Sequence, residues 1–362
     1  MTSIVSSLSV NQIRSLTTKA IEDWNTEDIS FLTSQQIRAL SSEQVAALET
    51  GDLKAFKPDQ LAAVSTNAII GLTLTQLAVL DSISIASLTG RQVGALTTEQ
   101  VEGLTSAQAE ALTASQVASM TSDQLAAMSP DDIKTFSIED IAAISSRAIP
   151  GLTPELLKVL SPEKIAAISQ KAIPRLAIEQ LEALSESQVK ALTSLQLGAL
   201  RPTQLAAFDT DDIVNLTSGA IQGLSTTAIA SLSTEQIGAL STAQLAALTS
   251  SQVKALTSTQ VAALSANSVA AFTTGQIPAL SSRAMTGLTA EQLEKLSTAQ
   301  VEAFASLQVK ALNSDQIAAL TSAQINTFSA ADMAAINGAA VAGLSPTILE
   351  NLTKENIAAL SS

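Results

Sequence analysis

With 362 residues, 46% of them hydrophobic and 14% charged, the chain is too apolar to stay disordered and long enough to bury a large core. Cys, His and Tyr are absent, which excludes disulfides, thiol chemistry, histidine–metal centres and Ser-His-Asp triads. A net charge of −14 opposes phosphate backbones and anionic lipid, so neither nucleic acid nor a membrane surface is an expected partner.

The opening stretch, MTSIVSSLSVNQIRSL, has neither the basic region nor the apolar run of a cleavable signal peptide. From Leu8 to Leu360 an apolar residue then stands at every multiple of eight, without insertion or deletion. Lettering each octad a to h from that residue gives Leu-Thr/Ser-x-x-Gln-Ile/Val/Leu-x-Ala, as in Leu240-Ser241-Thr242-Ala243-Gln244-Leu245-Ala246-Ala247. Position a is always Leu, Ile, Val, Met, Phe or Trp, and f is always apolar, with Ala109 its one small member. The lone Trp24 occupies a, a core position, which removes it as a stacking platform for sugars or bases. The even register from end to end predicts one continuous solenoid over residues 1–362, and no apolar run is long enough to span a bilayer.

Each octad predicts one short helix. Position b is Ser or Thr in 35 of 45 octads and Asn or Asp in five more, the residue set that caps the orphan N–H groups of a helix start. Three residues on, e is Gln in 24 octads and Asp at Asp28, Asp52, Asp132, Asp140, Asp212 and Asp332, which predicts a capping box repeated along the chain. Pro58, Pro130, Pro154, Pro162, Pro202 and Pro346 all fall at c, the first helical position, where a missing N–H costs nothing. A single long helix is excluded because eight residues at ~100° each make the apolar stripe drift by ~80° per octad. A β-solenoid is disfavoured because a, f and h do not alternate and Gln, Glu, Ala and Leu dominate. The fold class is therefore all-α: an α-solenoid of about 45 octads, with helices too short to stand alone and supported by their neighbours.

The array resembles the Leu/Thr/Gln/Ala-rich α-helical octapeptide-repeat arrays of uncharacterised bacterial proteins, a resemblance that spans the chain and implies a repeat fold without implying an activity. Leu152-Thr153-Pro154-Glu155 also resembles the opening of the DNA-wrapping repeats of transcription activator-like effectors. That likeness ends after four residues, because the period here is eight and no base-reading loop follows.

Five octads, starting at Val64, Ile144, Leu216, Leu280 and Ile336, carry Ala at e and Gly at h, and each follows an octad that starts with Phe. The marker residues are Phe56 and Gly71, Phe136 and Gly151, Phe208 and Gly223, Phe272 and Gly287, and Phe328 and Gly343, recurring at 80, 72, 64 and 56 residues. The shrinking interval predicts a structural seam on a superhelix that tapers through turns of ten, nine, eight and seven octads, with Gly at h admitting a neighbouring turn beside the Phe. Turns that wide would enclose a lumen lined by part of the apolar arc, unless they flatten to fill their own core, pack those arcs between layers or hold something inside. Pro150 and Pro278, late in their octads, are expected to distort their helices.

The adjacent acids Glu27-Asp28, Asp131-Asp132, Glu139-Asp140 and Asp211-Asp212 have the residue types of glycosidase or cation chemistry. All lie at d and e, where the first turn of a helix favours acids for capping alone. On a shared seam, Asp140, Asp212 and Asp332 would form a weak cation row. No catalytic, cofactor or metal residue is otherwise expected. The sequence reads as a non-catalytic structural or protein-binding solenoid, with exposed c, d and g residues as the contact surface. Two alternatives stay open, a carrier or channel whose apolar lumen holds lipid or another hydrophobic ligand, and a self-associating element that stacks end to end. The acidic, cysteine-free composition favours an extracellular or cell-surface bacterial location.

Overall fold

In the computed structural model, which describes residues 4–360, every α-helical segment begins at position c of an octad and runs for four to seven residues. No strand occurs among the described residues. The octad Leu240–Ala247 shows the rule: a helix over Thr242–Ala247, with Ser241 extended at φ −66°, ψ 158° and Leu248 extended at φ −58°, ψ 137°. Two extended residues, a and b, thus reset the chain direction between helices. None of the described residues has a positive φ, so these junctions use no left-handed glycine cap. The N–H of a instead closes the helix on the carbonyl of f, as in Leu248 to Leu245 at 3.1 Å.

The capping box forms as the spacing requires. Ser241 Oγ accepts from Gln244 N at 3.2 Å, while Gln244 Oε1 accepts from Ser241 N at 2.7 Å. Proline at c fits the first helical residue at Pro58, Pro130, Pro154, Pro162, Pro202 and Pro346. Pro150, Pro174 and Pro278 lie at g, where the missing N–H removes an α-helical bond, and their segments become 3-10 turns at Ile149–Gly151, Ile173–Arg175 and Ile277–Ala279.

The chain forms two compact units, Met1–Gln188 and Val189–Ser362. In the first, Gln124 Nε2 donates to the carbonyls of Val93 and Leu96 at 2.8 and 2.7 Å, 31 and 28 residues earlier. The same offsets hold at Gln44, Gln92 and Gln188. In the second unit they hold at Gln244, Gln260 and Gln324. In each unit, therefore, a turn closes every 28 to 31 residues, between three and a half and four octads.

This corrects the expected taper. Turns of ten, nine, eight and seven octads do not occur within either unit, because turn length is set by the fixed reach of one amide to the carbonyls below it. The marker interval is not a turn length, and the structure gives its shrinkage no packing role. Nor do the turns leave an apolar lumen open to water: positions a and f are buried, with Leu125, Ile237 and Leu245 fully so and Leu240 and Leu248 3% exposed. Val341, Leu349 and Ile357 are exceptions at f, 40–49% exposed.

Replacing Gln124 with Leu strands the two carbonyls below and breaks the cap, so we expect a loss of about 2–4 kcal/mol in urea unfolding. Gln12 is exposed and serves only its own cap, and Gln12→Leu should cost about 1 kcal/mol.

Candidate interaction surface

The outward face follows from the octad. In Leu240–Ala247, positions a, e and f are buried, b, c, d and g are exposed, and h is half-buried. This places a column of Ser/Thr caps at the rim and variable residues outside it, among them the exposed apolar side chains Ile83, Leu195 and Leu307 at d. Shallow grooves run between an octad junction and the octad three repeats later. One of about 500 Å³ is lined by Thr121, Ser122, Ser145, Ser146 and Arg147, and another of about 460 Å³ by Thr257, Ser258, Thr259, Ser281 and Arg283. A third, of about 680 Å³, holds Arg38 and Arg91 among Ser and Thr hydroxyls. The Arg at d in each groove is exposed and joins none of the ion pairs among the described residues.

The marker residues separate into two roles. Phe56, Phe136, Phe208, Phe272 and Phe328 are buried core residues at a. The five glycines lie against main chain instead. A Cβ on Gly71 would overlap the carbonyl of Ser42, and the same holds for Gly151 with Ser122, Gly223 with Ser194, Gly287 with Ser258 and Gly343 with Ser314. In every case the partner is the c residue 29 positions earlier. Ala at e supplies no amide bridge in these octads, and the turns meet backbone to backbone. The expected single seam is not formed within either unit, because successive markers lie 56 or more residues apart while contacts between turns span about 24 to 31. The ring pair that does form is Phe304 with Phe328, centroids 6.5 Å apart, and Phe304 lies outside the marker set.

The acid pairs diverge rather than converge. Glu27, Asp131, Glu139 and Asp211 at d are exposed, while Asp28, Asp132, Asp140 and Asp212 at e turn inward as caps. Asp132 Oδ2 accepts from Ser129 Oγ at 2.6 Å and its Oδ1 from Ser106 Oγ at 2.9 Å, a hydroxyl 26 residues earlier. Asp332 repeats both contacts with Ser329 and Ser306. Asp140 and Asp212 each close their own caps, with Ser137 and Asp209, and no row of carboxylates forms in either unit. Among the described residues, no group of three or more acidic side chains is arranged to hold a metal ion.

Sequence reasoning assigned Gln at e to capping and missed its second bond. A signal was present: capping accepts Glu as readily as Gln, yet no octad has Glu at e. The absence of Glu demands a donor as well as an acceptor. Lys164, also at e, meets the same demand by donating to the carbonyl of Lys134 at 2.7 Å.

Asp52 at e breaks the rule. It is 4% exposed, and its Oδ2 is buried without a hydrogen-bond partner. Burial raises its pKa above the ordinary 3.8, against a lowering contribution from the Glu49 main chain, and the charges of Glu49 and Asp28 push it further up. A folded-state pKa above the unfolded one favours folding while the acid is protonated and loses that contribution as pH rises through the folded value. In metal-free buffer Asp52→Asn should therefore be more stable than the parent near neutral pH, with the gap in urea midpoint closing as pH falls toward about 4.

The ALTTAQ repeat, as a family profile, matches this chain at residues 5–42, 45–82, 205–242, 237–266 and 295–330. No curated protein matches the chain.

Proposed function

We propose that this array of ALTTAQ repeats is a non-catalytic structural or protein-binding solenoid whose exposed c, d and g residues form the contact surface. The observation that carries this reading is the division of every octad into a closed interior and a variable exterior. Apolar residues at a and f and the amides at e are committed to packing and to bonds between turns, which leaves most outer side chains, d above all, free of a part in holding the fold. Repeat arrays bind through such extended surfaces. The grooves bearing Arg147 and Arg283 add polar recesses on an otherwise acidic chain, suited to carboxylate or carbonyl groups of a protein partner. A carrier with an apolar lumen has less support, since a water-wide channel lined by a and f would leave those side chains accessible.

The test is proximity labelling in the native host, followed by titration of each purified candidate against the parent chain and against a chain with Arg147→Glu and Arg283→Glu. Both arginines are exposed, so the melting temperature should stay within about 2 °C of the parent while affinity falls at least ~10-fold, in line with loss of about 1.4 kcal/mol. Lipid that persists through purification in native mass spectrometry, with no protein bound, would overturn the reading in favour of the carrier.

A further inference from the structure

The octad Leu48-Glu49-Thr50-Gly51-Asp52-Leu53-Lys54-Ala55 departs from the pattern at every polar position that matters for bonding. On either side of it, Gln44 Nε2 reaches the carbonyls of Ile13 and Leu16, and Gln60 Nε2 those of Ile29 and Leu32, all at 2.9–3.0 Å. By the same offsets, Asp52 occupies the position from which a Gln would reach the carbonyls of Ile21 and Trp24. Ile21 O already accepts from Trp24 N at 3.0 Å, whereas Trp24 O accepts no hydrogen bond among the described residues. A carboxylate therefore stands at the position where neighbouring octads put a donor, with one buried oxygen left unpartnered.

The other buried acids at e have donors that Asp52 lacks. Asp132 and Asp332 each receive a hydroxyl from b of their own octad and another from c, 26 residues earlier. Here b is Glu49, which makes no cap bond, and Thr26 at the equivalent of Ser106 donates nothing to Asp52. Gly51 leaves open space on the solvent side, with no atom within 4 Å of where its Cβ would be, and Glu49 is exposed beside it. Burying a carboxylate this way is costly unless a positive charge meets it.

We propose that Asp52 anchors a binding site for a hard, oxygen-seeking cation of the Ca²⁺ class, held between the Asp52 carboxylate and the Trp24 main-chain carbonyl, with the Glu49 carboxylate closing it from the solvent side. Oxygen donors of mixed carboxylate and carbonyl type, completed by water, are the set such cations take. The ion restores the link between turns that Gln makes in neighbouring octads. With so few charged ligands, the affinity falls in the sub-millimolar to millimolar range, about 10⁻⁴–10⁻³ M.

The site contains its own reporter, because Trp24 is the only tryptophan in the chain and sensitises Tb³⁺ bound beside it. Titrating the full chain with Tb³⁺ under excitation of Trp24 should give saturable emission that Ca²⁺ competes away. Asp52→Asn and Glu49→Gln should each weaken it at least ~10-fold, and Asp52→Gln should abolish it. Asp52→Gln installs the missing amide, so in EDTA it should melt above the parent, and Ca²⁺ should raise the melting temperature of the parent but not of this variant. Emission from Asp52→Gln equal to the parent's would overturn the assignment. So would a parent whose melting temperature ignores millimolar Ca²⁺, whether or not it rises on acidification, since the occupant would then be a proton or water.

Discussion

One side-chain amide holds this fold together by acting in two directions. The Oε1 of Gln at e accepts from the backbone of its own cap, and the Nε2 of the same group donates to two carbonyls of the turn below, as at Gln124, Gln244 and Gln316. A helix of four to seven residues is unstable alone in water. Here its start is closed locally and its end is closed by the following turn. The a carbonyl, left over where the chain reverses, would otherwise be buried without a donor, at a cost of about 1–3 kcal/mol each. Local capping and stacking between turns are thus one interaction, repeated.

Several departures from Gln obey the same constraint. Lys164 donates as Gln does, through an ammonium. Asp132 and Asp332 cannot donate downward and are instead supplied with hydroxyls from Ser106 and Ser306. The octads with Ala at e and Gly at h dispense with the bridge and bring main chain onto main chain, which a single Cβ would prevent at Gly71 or Gly223. The glycines serve space and not backbone angle, since none has a positive φ. Asp52 Oδ2 has no donor, and it is the buried side-chain oxygen left unpartnered among the described residues, which makes Asp52 stand out chemically.

Committing e to the turn below and a and f to the interior leaves most side chains at c, d and g without a bond between turns, with exceptions such as Ser106 and Ser306. Substitution there changes the surface and spares the fold, which is the property a contact surface requires. Exposed Ile83, Leu195 and Leu307 and the groove arginines Arg91, Arg147 and Arg283 all lie at d, so one octad position carries much of the surface's chemical variety. No helix among the described residues is long and apolar enough to cross a membrane.

What the sequence by itself determined is everything that depends on neighbours within one octad: the period, the hydroxyl cap at b, proline at c, the burial of a and f, and the extended junction. These rest on contacts three or four residues apart, so residue type and spacing suffice to read them. Tertiary structure decided the 28-to-31-residue turn, the second bond of Gln, and the serine that each marker glycine meets 29 positions back. Those contacts join residues whose separation depends on how far the chain rotates at each junction. A small angle there, added over three or four octads, chooses between a filled coil and a wide ring, and no single octad states it. The absence of Glu at e and the glycine at h were traces of the turn below left in the letters, because only a neighbour that accepts hydrogen bonds makes Gln and Glu unequal and only close main chain excludes a Cβ.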